Sequence, residues 1–190
     1  MLKTICTAIF KASGWTFKSN LPDDLRSFIF IGAPHTSNYD FIPAMALSFL
    51  MKRNAKFVIK KEWLKFPLNF VLVPAGAIGI DRKKVKAEGG MSTTDAMAEL
   101  FNEYPELVLM IAPEGTRSAN PNWKTGFYYI AQKANVPIVL GYADFSKKEA
   151  GIGMVIYPTN FEEDMNKIMQ FYQGIEGKIP HNFKLDEKYR

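Results

Sequence analysis

The chain holds two histidines, and each stands five residues ahead of an aspartate: His35-Thr-Ser-Asn-Tyr-Asp40 and His181-Asn-Phe-Lys-Leu-Asp186. A carboxylate on one imidazole nitrogen fixes the tautomer and leaves the other nitrogen free as a base. Such a base can take the proton of a hydroxyl, an effect typically worth about 10²–10⁴ in rate. His35 follows Ser27 to Ala33 (SFIFIGA), an apolar run that reads as a buried strand, and Asp40 opens a helical pattern reaching Met51. On local residues alone this pair reads equally as a catalytic dyad or as a satisfied histidine at a turn. His181 sits in HNFKLDEKYR, which reads as a solvated, charged tail.

Two more polar clusters follow apolar runs. Pro113-Glu114-Gly115-Thr116-Arg117-Ser118 comes directly after Leu107 to Ala112 (LVLMIA). Gly115 permits close backbone approach, the loop N–H groups can form an anion nest, and Arg117 can grip a phosphate through two parallel bonds. Asp81-Arg82-Lys83-Lys84 follows a weaker run from Gly76 to Ile80. By itself it is an ordinary solvated charge run. Loops after parallel strands converge on one sheet edge, where open α/β sheets bind ligands. That convergence favours function for all three.

The elements that must position these loops are short apolar runs alternating with amphipathic segments. Strands are expected at Ser27–Ala33, Ala55–Ile59, Gly76–Ile80, Leu107–Ala112, Pro137–Ala143 and Gly153–Tyr157. Helices are expected over Asp40–Met51, from Ser92 to before Pro105, and over Gly126–Ala134 and Phe161–Tyr172. This alternation predicts an α/β fold, a mostly parallel central sheet flanked by helices, in one domain spanning 1–190. Leu2, Ile5, Cys6, Ile9 and Phe17 fall at helical spacing, so residues 1–20 read as an amphipathic N-terminal helix. Its apolar run between Lys3 and Lys11 is short and lacks a small-residue cleavage site, which argues against a signal peptide.

At 190 residues, 47% apolar and 23% charged, the chain is neither disordered nor dependent on disulfides, and its one cysteine excludes a cysteine-rich zinc site. The net charge of +5 favours an anionic partner. No stretch reaches the roughly 18–20 apolar residues of a spanning helix. The nearest, Trp63 to Ile80, is broken by Lys65, Pro67, Asn69 and Pro74. It reads as a buried segment, the wall of an acyl-binding groove, or a surface dipping into lipid.

HTSNYD, IDR, PEGTRS and Val136-Pro137-Ile138, in that order, resemble the four motifs of the glycerolipid acyltransferases, which acylate 1-acyl-glycerol-3-phosphate, glycerol-3-phosphate and related lysolipids. The resemblance runs from about residue 31 to 142. It implies His35 as general base, Asp40 as its orienting partner and Arg82 as a ligand of the acceptor phosphate. Glu114, Gly115, Thr116 and Arg117 would line the acceptor site, and Pro137 would belong to the hydrophobic fourth motif. Two positions depart from the family pattern: Gly79 stands where a bulky apolar residue is usual, and Leu140 where a second proline is usual. Both bear on substrate fit rather than on the base.

A fatty acyl group would pass from acyl-CoA or acyl-carrier protein, as co-substrate, to a lysolipid hydroxyl. No cofactor, metal or nucleic acid is expected. Trp63, Phe66, Phe70 and Pro137 are the candidates for the acyl groove. Lys52, Arg53, Lys56, Lys60, Lys61 and Lys65 beside it suit an anionic lipid surface or an acidic carrier. Peripheral contact with the cytoplasmic, inner face of a membrane is the expected location, with the N-terminal helix in the interface. The alternatives are acylation of another lyso-lipid such as an aminolipid, a His–carboxylate esterase or thioesterase, a metallophosphatase, and a non-catalytic basic module.

Overall fold

A computed structural model describes residues 2–80 and 92–190. Among these, seven strands form one sheet: β1 (Thr16–Ser19), β2 (Phe28–Ala33), β3 (Asn54–Lys60), β4 (Ala77–Ile80), β5 (Leu107–Ile111), β6 (Ile138–Asp144) and β7 (Glu149–Ile156). The spatial order is β1-β7-β6-β2-β5-β3-β4. Every neighbouring pair is parallel except β6 with β7. Six α-helices accompany them: α1 (Leu2–Ala12), α2 (Phe41–Leu50), α3 (Asn69–Ala75), α4 (Thr93–Glu103), α5 (Gly126–Ala134) and α6 (Phe161–Tyr172). No described helix is long and apolar enough to cross a membrane.

The continuous apolar run of β2 has a simple cause: the strand is covered on both faces. Ile29, Ile31 and Ala33 pack with Phe127 and Ile130 of α5 and Ile168 and Tyr172 of α6. Phe28 and Phe30 point the other way, toward Met51, Val108 and Val139. On that second face Phe10 of α1 meets Ala46 and Leu47 of α2, and Cys6 meets Met45 and Ala75. Helices α4 to α6 therefore cover one face and α1 to α3 the other.

Two expectations need correction. The N-terminal helix ends at Ala12 rather than near residue 20. Ser13 sends both its N–H and its hydroxyl back to the Ile9 carbonyl, and Gly14 takes a left-handed φ of 77°. That conformation stops a helix, and the β-prone Thr16 and Phe17 then pair with Glu149 and Ala150 as an edge strand. The helix buries Cys6, Thr7 and Phe10 on its own domain and leaves Ile5 and Ile9 exposed.

The charged tail is not a solvated one. Asp186 is buried, accepting from the Trp123 N–H at 3.0 Å and the Lys188 N–H at 3.1 Å. Phe183, Leu185 and Tyr189 pack against the main core cluster. His181 is exposed, as expected. Three apolar side chains among the charges pull the segment inward, and a charge count hides them.

Candidate active site

The site is assembled from two loops brought together by strand order. β5 inserts beside β2, with Ile31 level with Ile111, so the chain leaves both strands at the same edge. After β2, Ser37 caps the single turn Asn38–Asp40, its hydroxyl accepting from the Tyr39 N–H. The turn folds Asp40 back onto the start of its own loop. Its Oδ2 accepts from the N–H groups of Thr36 at 2.6 Å and Ser37 at 2.8 Å, and lies 3.2 Å from His35 Nδ1. Asp40 is almost wholly buried, whereas the imidazole keeps about a third of its surface exposed. The ring is thus gripped at Nδ1, which leaves Nε2 as the nitrogen available to a substrate. Asp40 Oδ1 is buried without a partner among the described residues.

Glu114 enters from the β5 loop and accepts the His35 backbone N–H at 2.8 Å through Oε1. Its own carbonyl is held by Asn120 Nδ2 at 2.7 Å. The residue is 3% exposed, its Oε2 has no partner among the described residues, and it faces neither cleft described below. The resemblance implied that Glu114 lines the acceptor site; the structure puts it behind His35, bracing the backbone. Burial pushes its carboxyl up to about 7, against the pull of the His35 N–H.

That shift has a consequence for stability. Between the ordinary carboxyl value of 4.5 and about 7 the native state holds a proton that the unfolded chain has released. Stability contributed by this group is therefore complete below the unfolded value and lost as pH rises to about 7, by roughly 3 kcal/mol. Glu114→Gln is expected to flatten this slope in urea melts taken from about pH 4.5 to 8. An unchanged slope would show that Glu114 is not the group responsible.

Two clefts meet at His35. One, of about 620 Å³, lies under α2 and is mainly apolar, with Ala44, Met45 and Leu47 above and Phe30, Phe57 and Met110 below. The other, of about 970 Å³, opens between the β5 loop and the N-termini of α4 and α5. Its wall includes Thr93, Thr94, Gly115, Thr116, Arg117 and Lys124. Helix N-termini with Arg and Lys nearby suit an anion. Gly115 has a φ of 67°, and a Cβ there would stand 3.2 Å from Cγ of Lys124, so the lysine stem crosses the glycine. Arg117 is exposed and borders both clefts.

The remaining candidates lie elsewhere. Trp63, Phe66 and Phe70 are 60%, 81% and 70% exposed and line neither cleft. In their segment Ala75 is the side chain that packs inward. Pro137 is buried at the opposite edge of the sheet, its carbonyl accepting from the Ile29 N–H at 2.9 Å. None of the four walls the apolar cleft. Arg82 falls outside the described residues. Lys124 and Thr94 join the polar cleft without any local sequence pattern that marks them. The α2 roof carries a sequence signal: FIPAMALSFL is apolar nearly all round, and the structure buries Pro43, Met45, Ala46, Leu47 and Ser48 while leaving Phe41 and Phe49 exposed.

A family model described as Acyltransferase matches residues 16–140, well over half the chain. The chain belongs to the acyltransferase family. No curated protein and no solved structure gave a match. The matched span of this acyltransferase runs from β1 into β6 and contains both loops of the site, while α1, β7, α6 and the C-terminal segment lie outside it.

Proposed function

We propose that this acyltransferase moves a fatty acyl group from acyl-CoA or acyl-carrier protein to the hydroxyl of a phosphate-bearing lysolipid, first among them 1-acyl-glycerol-3-phosphate. The observation that carries this reading is that His35 stands at the junction of an apolar cleft and a polar, basic one. The apolar cleft takes the acyl chain, at about 0.8 kcal/mol per buried CH₂. The polar cleft takes the acceptor headgroup, with Arg117 and Lys124 facing the phosphate.

In the reaction, His35 Nε2 takes the acceptor's hydroxyl proton as the oxygen attacks the thioester carbonyl. The carbon–sulfur bond of the tetrahedral intermediate breaks, and the departing thiolate receives that proton from Nε2. Asp40 holds the ring and offsets the charge of the transient imidazolium. No acyl-enzyme forms, so no protein nucleophile is required.

The acceptor is a lipid, and we place the enzyme peripherally on the cytoplasmic face of a membrane. Phe66, Phe70, Trp63, Val71, Val73 and Leu68 are each about half exposed or more, and Lys60, Lys61 and Lys65 flank them. Such a contiguous apolar projection on a protein surface marks a contact region, and the lysines suit anionic headgroups. The projection begins where β3 ends, at the same edge of the sheet as His35.

One experiment tests the reading: purified protein, a long-chain acyl thioester and a panel of lysolipids in vesicles, read by mass spectrometry. Acylated product is expected on phosphate-bearing acceptors, more on anionic than on neutral vesicles. Thiol release at the same rate without any acceptor would make the enzyme a thioesterase. Equal rates on phosphate-free lysolipids would remove the roles given to Arg117 and Lys124.

A further inference from the structure

The segment after α6 lies beyond the part of the chain that the family model matches, yet it is tied to both loops of the site. At its start the Glu176 carbonyl accepts from the Phe145 N–H at 2.8 Å, joining it to the turn after β6. In its middle the Ile179 N–H donates to Thr36 Oγ1 at 3.2 Å, and Asn182 Nδ2 reaches the Thr36 carbonyl at 3.5 Å. Farther on, Trp123 Nε1 donates to the Lys184 carbonyl at 2.9 Å and the Trp123 N–H to Asp186 Oδ2 at 3.0 Å. Thr36 is the residue after His35, and Trp123 closes the loop that carries Glu114.

Thr36 is the sensitive point. It is 1% exposed, and its N–H donates to the same Asp40 oxygen that faces His35 Nδ1. Gly177 is packed directly on it. A Cβ at Gly177 would stand 2.7 Å from both Thr36 Cγ2 and Thr36 Oγ1, and 3.0 Å from Pro34 Cβ. The φ of Gly177 lies outside the left-handed region, so contact rather than backbone conformation excludes a side chain there. The residues before and after His35 are therefore both in the grip of this segment.

We propose that residues 174–186 form a positioning strap, in which Gly177 and Ile179 hold Thr36 and thereby the Asp40–His35 pair in its working geometry. Asp186 and Lys184 fix the Glu114 loop in the same frame. The strap makes no chemistry of its own; it sets the distance and angle at which His35 meets the acceptor hydroxyl. This inference rests on His35 being the base.

The test is Gly177→Ala in the full-length protein. A misplacement of about 1 Å at a catalytic group can cost roughly 10²-fold in rate. The expected result is a kcat lowered by roughly 10- to 100-fold, with KM for donor and acceptor little changed and the acidic limb of the kcat–pH profile displaced. Thr36→Val keeps the shape but removes the hydroxyl that accepts from Ile179, and should give a smaller loss of the same kind. Thr36→Ala removes the two atoms nearest to the methyl group of Gly177→Ala and leaves Pro34 Cβ, at 3.0 Å, as the remaining close contact. Adding Gly177→Ala to Thr36→Ala should therefore slow the enzyme little further.

Wild-type kcat and an unchanged pH profile in both Gly177→Ala and Thr36→Val would overturn the strap. So would effects of Gly177→Ala and Thr36→Ala that simply multiply. A rate loss that vanishes at temperatures well below the variant's Tm would show global loosening instead, and also overturn it. Undiminished transfer by His35→Ala would remove the underlying reading. An inactive His35→Ala beside fully active strap variants would sink only the strap.

Discussion

His35→Ala, with its fold intact, is expected to transfer acyl groups roughly 10²–10⁴-fold more slowly than the parent enzyme, with thioester and acceptor still binding. The effect is expected to be large because, in the proposed mechanism, the ring at residue 35 alone carries the proton off the acceptor hydroxyl. The neighbouring carboxyls cannot stand in for it. Asp40 is turned away into the Thr36 and Ser37 N–H groups, and Glu114 is sealed behind the backbone. Asp40→Asn should slow the reaction through kcat as well. Its amide oxygen can still receive the two N–H groups that hold the loop, but it can no longer offset the imidazolium charge. Single-turnover rates with a long-chain thioester decide the matter: a His35→Ala rate within about threefold of the parent would exclude general-base catalysis here.

The second large effect concerns the acyl chain. Ala44 lies on the α2 roof of the apolar cleft, and Ala44→Phe places a ring in a space of about 620 Å³. Displacing roughly three or four methylenes costs about 3 kcal/mol, or roughly 10²-fold in kcat/KM for a long-chain donor. A two-carbon donor needs none of that space and should react within a few-fold of the parent rate. Phe66→Ala, on the exposed projection, should leave the dependence on chain length untouched. If Ala44→Phe slows short and long donors alike, the cleft under α2 is not where the chain lies. If Phe66→Ala alters the chain-length profile, the groove is at the exposed segment after all.

What could be read in the sequence is what short-range pattern determines. The buried strands, the helices Gly126–Ala134 and Phe161–Tyr172 and the capped start at Ser92 follow from local periodicity and capping, and the described elements match them closely. The proximity of His35 and Asp40 was legible because a single turn closes it. The bond from His35 to Glu114 was not, since it depends on β5 inserting beside β2, a matter of register. Trp63 to Val73 was legible as unusually apolar, but which way its side chains face depends on what α3 packs against. The C-terminal part of the strap was hidden because charge dominates HNFKLDEKYR, whereas the packing of that segment is decided by Phe183, Leu185 and Tyr189, and no local pattern marks Gly177 or Ile179.

Strand order also governs when this enzyme can first work. His35 and Glu114 are 79 residues apart, and the edge they share exists only after β3 and β4 have been laid down and β5 has slotted back between β2 and β3. Contacts of such long sequence separation form late, after the loop-closure entropy has been met. Chains fold from the N-terminus as they are synthesised, so the apolar cleft acquires its β5 floor, and His35 its Glu114 brace, only in the second half of synthesis. Thr36 then waits on residue 179 for its final hydrogen bond. A chain still emerging from the ribosome thus carries the histidine long before the two clefts that meet at it are complete.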